Sequence, residues 1–444
     1  MAELPLLRNH GTGTIIAYRG KCPVGPEEYL RHVAQLAAAL PDQRHVLNLC
    51  ADRYHFAVGF GAALVRAQTT LLPPNLAPEA MAQLGSRYAA LYCLADGAVP
   101  AGFDTVSVPQ AIGGERTFSV VPAISEAQCA AVLFTSGSTG QPTPHAKSWG
   151  SFVAGAAAQA QRLGLRAGSG MSVLATVPPQ HMYGLESSVL FPLQNGLALH
   201  AGRPFFPADI CAELDALPRP RALVTTPFHL RALLAGAAAV PPADFVLSAT
   251  APLSPQLAAE AEARFSAPLH EIYGCTEAGQ VAMRRTTAGS EWRPHPGVIL
   301  RQDERGTWAN GGHVEKEVLL ADVIELHEGG SFLLHGRTAD LVNIAGKRTS
   351  LAHLNYHLNS IEGVRDGAFF MPSEDGREVT RLVAFVVAPG LSGETIMKAL
   401  RQRIDAAFLP RPLQFVEALP RNMTGKLPRE ALRELIAGPA RKAG

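Results

Sequence analysis

Charge is scarce in this chain. Asp, Glu, Lys and Arg make up 17% of its 444 residues and nearly cancel, to a net charge of +1. No strongly basic character is left for nucleic acid or an anionic membrane. Cysteine is also sparse: Cys22, Cys50, Cys93, Cys129, Cys211 and Cys275 are scattered, without a C-x-x-C pair. That argues against zinc and disulfide frameworks and fits a reducing, cytoplasmic setting. No apolar run approaches the ~20 residues of a membrane span. The opening Met-Ala-Glu-Leu-Pro-Leu-Leu-Arg-Asn-His has no h-region of a secretory signal. Two signatures fail as well. Gln141 and Ala146 stand where a Walker A loop needs glycines ahead of Lys147-Ser148. Gly137-Ser138-Thr139-Gly140 lacks the Gly-x-Ser-x-Gly spacing of a nucleophile elbow. No internal repeat is visible.

Apolar residues are plentiful instead, at 47%, the composition of a globular protein with large buried sheets. The length implies two or more domains. Strands alternate with helices for about the first 330 residues, the pattern of an α/β layered domain. A buried strand is expected over 45–50, with Asp52 capping the helix that carries Phe56, Phe60, Ala63 and Leu64. Another strand, 222–226, turns at Pro227 into a helix over 228–234, and 245–248 reads as a further strand. From Glu317 the pattern becomes a hairpin, with 318–320 and 332–334 flanking the turn Glu328-Gly329-Gly330-Ser331. The remainder reads as a small α+β unit. It has helices near 351–361 and 393–407 and strands near 368–371, 382–387 and 413–416.

The most informative segment is Thr135-Ser136-Gly137-Ser138-Thr139-Gly140. Its glycines permit close backbone approach, and its N–H and hydroxyl groups can wrap phosphate oxygens. Alone, such a loop is as readily an ordinary turn. It is followed, however, by an ordered series. First come Pro178-Pro179-Gln180-His181-Met182-Tyr183-Gly184 and Val224-Thr225-Thr226-Pro227-Phe228. Then come Leu247-Ser248-Ala249-Thr250-Ala251-Pro252-Leu253, Ile272-Tyr273-Gly274-Cys275-Thr276-Glu277 and Leu320-Ala321-Asp322. The last are Gly336-Arg337-Thr338-Ala339-Asp340, Gly346-Lys347-Arg348 and Thr424-Gly425-Lys426. In this order the set resembles the adenylate-forming family of acyl-CoA synthetases, adenylation domains and luciferases, over about residues 40 to 435.

The resemblance implies an α/β fold, with a large layered N-terminal domain (1–337) and a small mobile α+β C-terminal domain (338–444). It implies ATP and Mg2+ as cofactors, and an acid activated as acyl-AMP before transfer to a thiol. Residues 135–140 would contact the β- and γ-phosphates. Thr250, Ala251 and Pro252 would border adenine, with Tyr273 stacked on it beside Gly274. Thr276 would touch the α-phosphate and Glu277 would hold the metal, which needs few protein oxygens. Asp322 and Arg337 would meet the ribose. Lys426 would supply the cation at the α-phosphate in the transition state. Ala345 and Gly346 would line the thiol channel. The acyl pocket would lie among His181, Tyr183, Phe228, His229, Ser248, Gly274 and Gly279. Aromatic walls with a few polar groups suit a flat aryl acid. His229 could bond a ring hydroxyl or cap its own helix.

Several positions depart from the family pattern. Thr143 replaces a lysine usual after the loop proline, leaving Lys147 as either its substitute or a solvated helix-start residue. Ala249-Thr250 stands where glycines are usual, and Ala339 at the hinge where Asp or Lys is. His353 and His357 are four apart on a helix but lack a Glu partner for a metal. Arg377, Arg381, Arg401 and Arg403 offer a basic patch for an acidic carrier protein, or are simply solvated. The compact length and Pro144-His145-Ala146-Lys147-Ser148-Trp149 look similar to a short branch found with aryl-polyene and xanthomonadin-type pigment genes. That branch loads 3- or 4-hydroxybenzoate on an acyl carrier protein. The expected partners are therefore an aryl carboxylic acid and a pantetheine thiol, of a carrier protein or of CoA. An aryl or medium-chain acyl-CoA ligase and a non-catalytic nucleotide-binding relative are the alternatives.

Overall fold

A computed structural model describes residues 2–73, 75–88, 90–99, 102–113, 117–136, 142–236, 239–337, 340–344, 347–372, 381–421 and 427–437. Two large sheets organise the chain through residue 294. The first has six strands in the order Pro142–Ser148, Cys129–Ser136, Thr69–Leu72, His45–Asn48, Leu91–Ala95 and Thr105–Ser107. All its pairs are parallel except the first, an antiparallel pair that flanks residues 137–141.

The second sheet has nine strands. Its middle is parallel: Leu269–Cys275, Phe245–Ser248, Arg221–Thr225, Ser172–Ala175, Ala198–His200 and Ala17–Arg19. Antiparallel strands close both edges, Gly279–Arg284 and Arg293–Pro294 on one side and Cys22–Val24 on the other. Ser172–Ala175, Arg221–Thr225 and Phe245–Ser248 are buried throughout. Continuous apolar runs of this kind suit a parallel sheet covered on both faces.

The helix Arg53–Val65 bridges the sheets. Asp52 caps it, accepting from His55 N, as the sequence predicts. Arg53 is fully buried and reaches across to the second sheet. Its guanidinium donates to Ser188 Oγ at 2.7 Å, Ala175 O at 2.9 Å and Val177 O at 3.0 Å. Burial pulls its pKa down to about 9, with Arg203 adding to the effect. The apolar core follows the same path. One cluster joins Val46, Phe56, Phe60 and Tyr92 of the first layer to Leu185, Val189, Leu193 and Leu199 of the second.

The hairpin expected after Glu317 has a different first arm. Val314–Leu319 pairs with Gly306–Gly311, and it is Asp322–Leu326 that pairs with Phe332–Arg337. The turn at 328–331 was legible, but Ala321 separates two strands that read as one. In the small C-terminal unit, helix Leu351–Asn359 packs on strands Asp366–Phe370, Val383–Val387 and Leu413–Phe415. The helix expected over 393–407 ends at Arg401, and a 3₁₀ turn, Ala406–Phe408, follows.

This unit touches the larger one through a shared carboxylate. Arg421 donates to both oxygens of Asp366, at 2.8 and 2.9 Å, and Arg231 of helix Pro227–Gly236 lies 3.8 Å from Asp366 Oδ1. Arg231, Asp366, Arg421, Ala251, Pro252 and Leu427 line one cleft of about 110 Å³. Among the described residues no helix is long and apolar enough to cross a membrane.

Two buried histidines predict a pH response. Burial depresses His229 to about 4, with Arg203 adding, and His295 to about 3, with His313 and Arg162 adding. Their stabilisation is complete above the unfolded value near 6.5. It is lost as the pH falls from there toward each folded value. Each histidine steepens the fall by up to about 1.4 kcal/mol per pH unit. Denaturant midpoints measured between pH 8 and 5 should drop below pH 6.5, and His295→Gln should flatten that drop.

Candidate functional site

In open α/β sheets ligands bind beyond the carboxyl ends of the parallel strands. Here those ends become polar. Thr176, Thr225 and Ser248 follow apolar runs, and Thr176 Oγ1 lies 2.9 Å from Thr225 Oγ1. Thr225 and Ser248 are register partners on adjacent strands. The residues expected around the acyl group gather at this end. Tyr183 lies in helix Met182–Leu185, whose first flanking residue is His181. Its hydroxyl is shielded from solvent, and burial raises its pKa. That helix runs on through a π turn, Glu186–Leu190, a local irregularity frequent at functional sites.

Phe228 and His229 open the helix Pro227–Gly236. Their rings pack at 5.3 Å, with Phe205 at 6.4 and 5.3 Å from them. His229 makes the helix-start contact that one of its two readings expects. Its Nδ1 is 2.9 Å from Thr226 Oγ1, a helix-start contact, whereas the buried Nε2 has no partner among the described residues. With Thr226 donating, Nδ1 accepts and Nε2 carries the proton. The imidazole thus presents one buried N–H donor.

The nucleotide candidates fall into two groups joined by the strand Leu269–Cys275. In the first, Tyr273 is 8% exposed and its ring packs with Trp292 and Phe332. Its hydroxyl donates to Asp322 Oδ2 at 2.7 Å. Asp322 and Arg337 are direct cross-strand partners, although 15 positions apart in sequence. Sequence reasoning placed Tyr273 on adenine and missed the Asp322 bond. The stretch 249–252 leads away from Ser248, and Leu253 N bonds Glu271.

In the second group, Thr276 and Glu277 sit in the turn between Leu269–Cys275 and Gly279–Arg284. Gly274 and Gly279 cross closely here. A Cβ on Gly274 would stand 2.3 Å from Gly279 O. Gly279 has φ +83°, a region that favours glycine. Glu277 Oε1 lies 3.6 Å from His145 Nε2, which is 2.9 Å from Thr135 Oγ1. The hairpin thus brings the first residue of the phosphate loop beside the metal candidate.

Lys147 is neither a phosphate-facing substitute for the missing lysine nor a solvated helix-start residue. It is a strand residue 5% exposed, and its Nζ donates to the Glu277 carbonyl at 2.5 Å. The sequence signal was the alternation Thr143, His145, Lys147, legible only once 142–148 is read as a strand.

Gly137, Ser138, Thr139, Gly140, Ala339, Ala345, Gly346, Arg377 and Lys426 lie outside the described residues. Ser136 and Arg337 are described as strand residues. Leu427, the neighbour of Lys426, lines the same cleft as Ala251 and Pro252. His353 and His357 stack at 4.5 Å, and the described residues contain no group of three or more His, Cys, Asp or Glu that could hold a metal.

Thr250 adopts φ +81°. A β-branched residue is a conformational outlier there, at a cost of about 1–3 kcal/mol. Thr250→Gly is expected to stabilise the protein by about 1 kcal/mol, read as a higher urea midpoint. An unchanged or lower midpoint would show that contacts of the threonine outweigh the strain.

Residues 27–305 match the AMP-binding enzyme family. Over 313 residues the chain is 29% identical to a 4-coumarate–CoA ligase of Rhodobacter capsulatus, covering 70% of this chain and 77% of that one. A 3-hydroxybenzoate–CoA/4-hydroxybenzoate–CoA ligase of Thauera aromatica is 29% identical over 122 residues, 26% of this chain and 23% of that one. Among solved structures, o-succinylbenzoate CoA synthetase of Bacillus subtilis with AMP superposes at a TM-score of 0.80. Its identity is 17%, over 98% of this chain and 99% of that one. A benzoate CoA ligase of Burkholderia xenovorans gives 0.78 at 19% identity, over 95% and 97% of the two chains. These likenesses show the fold, a large α/β N-terminal domain with a smaller C-terminal domain. The chain belongs to the AMP-binding enzyme family and is an AMP-forming acid–thiol ligase.

Proposed function

We propose that the protein activates a hydroxybenzoate. Its carboxylate attacks the α-phosphorus of ATP, giving acyl-AMP and pyrophosphate. A pantetheine thiol of an acyl carrier protein then displaces AMP to form the thioester. The observation that carries the acid is His229. Its Nε2 is buried without a partner among the described residues, beside the aromatic pair Phe205 and Phe228 at the end of the sheet where ligands bind, and it is a donor when Thr226 donates to Nδ1. A flat ring with one polar substituent suits such a wall, and a site built to bond a hydroxyl rejects analogues lacking it. Names of relatives point the same way. Beyond the hydroxybenzoate ligase, a Streptomyces protein 34% identical over 124 residues is called salicylyl-CoA synthase / salicylate adenylyltransferase.

The nucleotide would lie between 249–252, Tyr273 and the Asp322–Arg337 pair. Asp322, held by the Tyr273 hydroxyl, offers carboxylate oxygens to the ribose. The loop at 135–140 grips the outgoing phosphates, and Lys426 meets the charge that grows at the α-phosphate. The site fits magnesium. The carboxylate of Glu277 is 37% exposed, with the Thr135 hydroxyl reached through His145. A hard ion that keeps its waters and borrows phosphate oxygens needs no larger protein cage. Bound there, magnesium would neutralise phosphate charge. The division of the chain at 337/338, with Ala339 at the turn, would let the C-terminal domain present Lys426 for the first step and 345–346 for the second.

Acid-dependent pyrophosphate exchange tests this reading. Exchange with 3- or 4-hydroxybenzoate and loss of that preference in His229→Phe would support it. Equal exchange with benzoate would overturn the role of His229. Incubation with holo carrier protein or CoA then decides the acceptor. Transfer to CoA favours the second reading, an aryl–CoA ligase, which the names of the relatives support equally.

A further inference from the structure

The strand Pro142–Ser148 pairs antiparallel with Cys129–Ser136. Its alternation places Thr143, His145 and Lys147 on one face. Exposure falls along that face, from an exposed Thr143 through a half-buried His145 to Lys147 at 5%. Both deeper residues reach the turn that carries Glu277. Lys147 donates to its backbone carbonyl at 2.5 Å, and His145 Nε2 faces its Oε1 at 3.6 Å and Thr135 Oγ1 at 2.9 Å.

Burying an ammonium is costly, and no carboxylate lies within ion-pair distance of Lys147 among the described residues. Glu186, Cys275, Glu315 and Glu277 surround it more loosely and oppose the downward shift that burial imposes. A backbone carbonyl is an unusual terminus for so expensive a group. What the bond achieves is to tie the turn of one sheet to the hairpin of the other. Lys147 fixes the main chain at 277, and the His145 ring stands between the two side chains, bonded to the Thr135 hydroxyl and 3.6 Å from the Glu277 carboxylate.

We propose that His145 and Lys147 form a two-point bracket that holds the Glu277 carboxylate in register with the Thr135 hydroxyl, so that metal and phosphates are bound by one preset surface. Both are positioning residues. The inference rests on the reading of Glu277 as the metal carboxylate. It implies that a loosened bracket weakens metal–nucleotide binding while leaving the metal-independent second step intact.

The test uses the full chain. Mn2+ binding is followed by its EPR signal with a non-hydrolysable ATP analogue. The KM for Mg-ATP comes from pyrophosphate exchange, and thioester formation is measured from preformed acyl adenylate. His145→Ala should weaken Mn2+ binding and raise the KM by up to about tenfold each, the scale of one hydrogen bond, with a smaller change in kcat. His145→Gln, whose amide N–H can occupy the place of Nε2–H, should restore most of both. Thioester formation should be unchanged in both. Lys147→Met should act in the same direction if it folds; the His145 pair decides the matter if it does not. Unchanged Mn2+ affinity in a folded His145→Ala, or an equal fall in both half-reactions, would overturn the bracket. Glu277→Gln separates the premise. If it too leaves Mn2+ binding intact, the metal assignment fails; if it alone weakens binding, only the bracket fails.

Discussion

Lys426→Ala is expected to lower the adenylation rate about 10²–10³-fold, with a much smaller effect on thioester formation from preformed acyl adenylate. A single cation aimed at developing phosphate charge is worth most in a site that excludes water, because it needs no reorganisation at the moment of reaction. The described residues on either side of it are anchored. Arg421, just before it, holds both oxygens of Asp366, which also faces Arg231 across the cleft. Leu427, just after it, stands with Ala251 and Pro252. Single-turnover measurement of each half-reaction checks the expectation. Comparable losses in both would contradict a role confined to the first. Lys426→Arg should recover little, because a planar guanidinium does not place its charge where an ammonium does.

Gly274→Ala is the second large effect. Its added Cβ would stand 2.3 Å from Gly279 O and 3.0 Å from Gln280 Cα. Both neighbours are backbone, so no side chain can swing aside. Relief to ordinary contact requires a shift of roughly 1 Å between strands Leu269–Cys275 and Gly279–Arg284, and a misplacement of that size costs about 10² in rate. The turn between them carries Thr276 and Glu277, so the carboxylate proposed to hold the metal moves with it. Adenylation should fall about 10²-fold, with overfilling costing a further 1–3 kcal/mol of stability. A folded Gly274→Ala protein with normal exchange activity would show that the turn can shift without cost to the site.

The family and its fold were legible because each motif carries its own chemistry and the motifs come in order. Asp322 and Arg337 were paired from their order, and the hairpin register then placed them face to face. Of the two roles expected of His229, the structure shows the helix-start contact of Nδ1 with Thr226, while Nε2 is buried without a partner among the described residues. What escaped was whatever depends on register or on distant partners. Lys147 reads as a surface lysine until the face it shares with His145 is seen to point at Glu277. The bond from Tyr273 to Asp322 joins residues in separate sheets. The hairpin error came from a similar source. Val318-Leu319-Leu320 is apolar enough to pair with Phe332-Leu333-Leu334, and only the break at Ala321 shows that Asp322 starts the true arm.

The reach of Arg53 bears on how the chain acquires its structure. Its bonds to Ala175 of the second sheet, to Val177 just beyond that strand and to Ser188 of the π turn, with the apolar cluster running beside them, leave the first sheet without a face it can bury alone. The dependence is mutual, since Ala17–Arg19, from the start of the chain, supplies a strand to the sheet built mainly from residue 172 onward. Neither sheet is therefore an independent folding unit. The two should melt as one cooperative block, and a nascent chain emerging from the ribosome can pair Ala17–Arg19 with Cys22–Val24 but cannot seat that pair in its sheet until Ala198–His200 has been made.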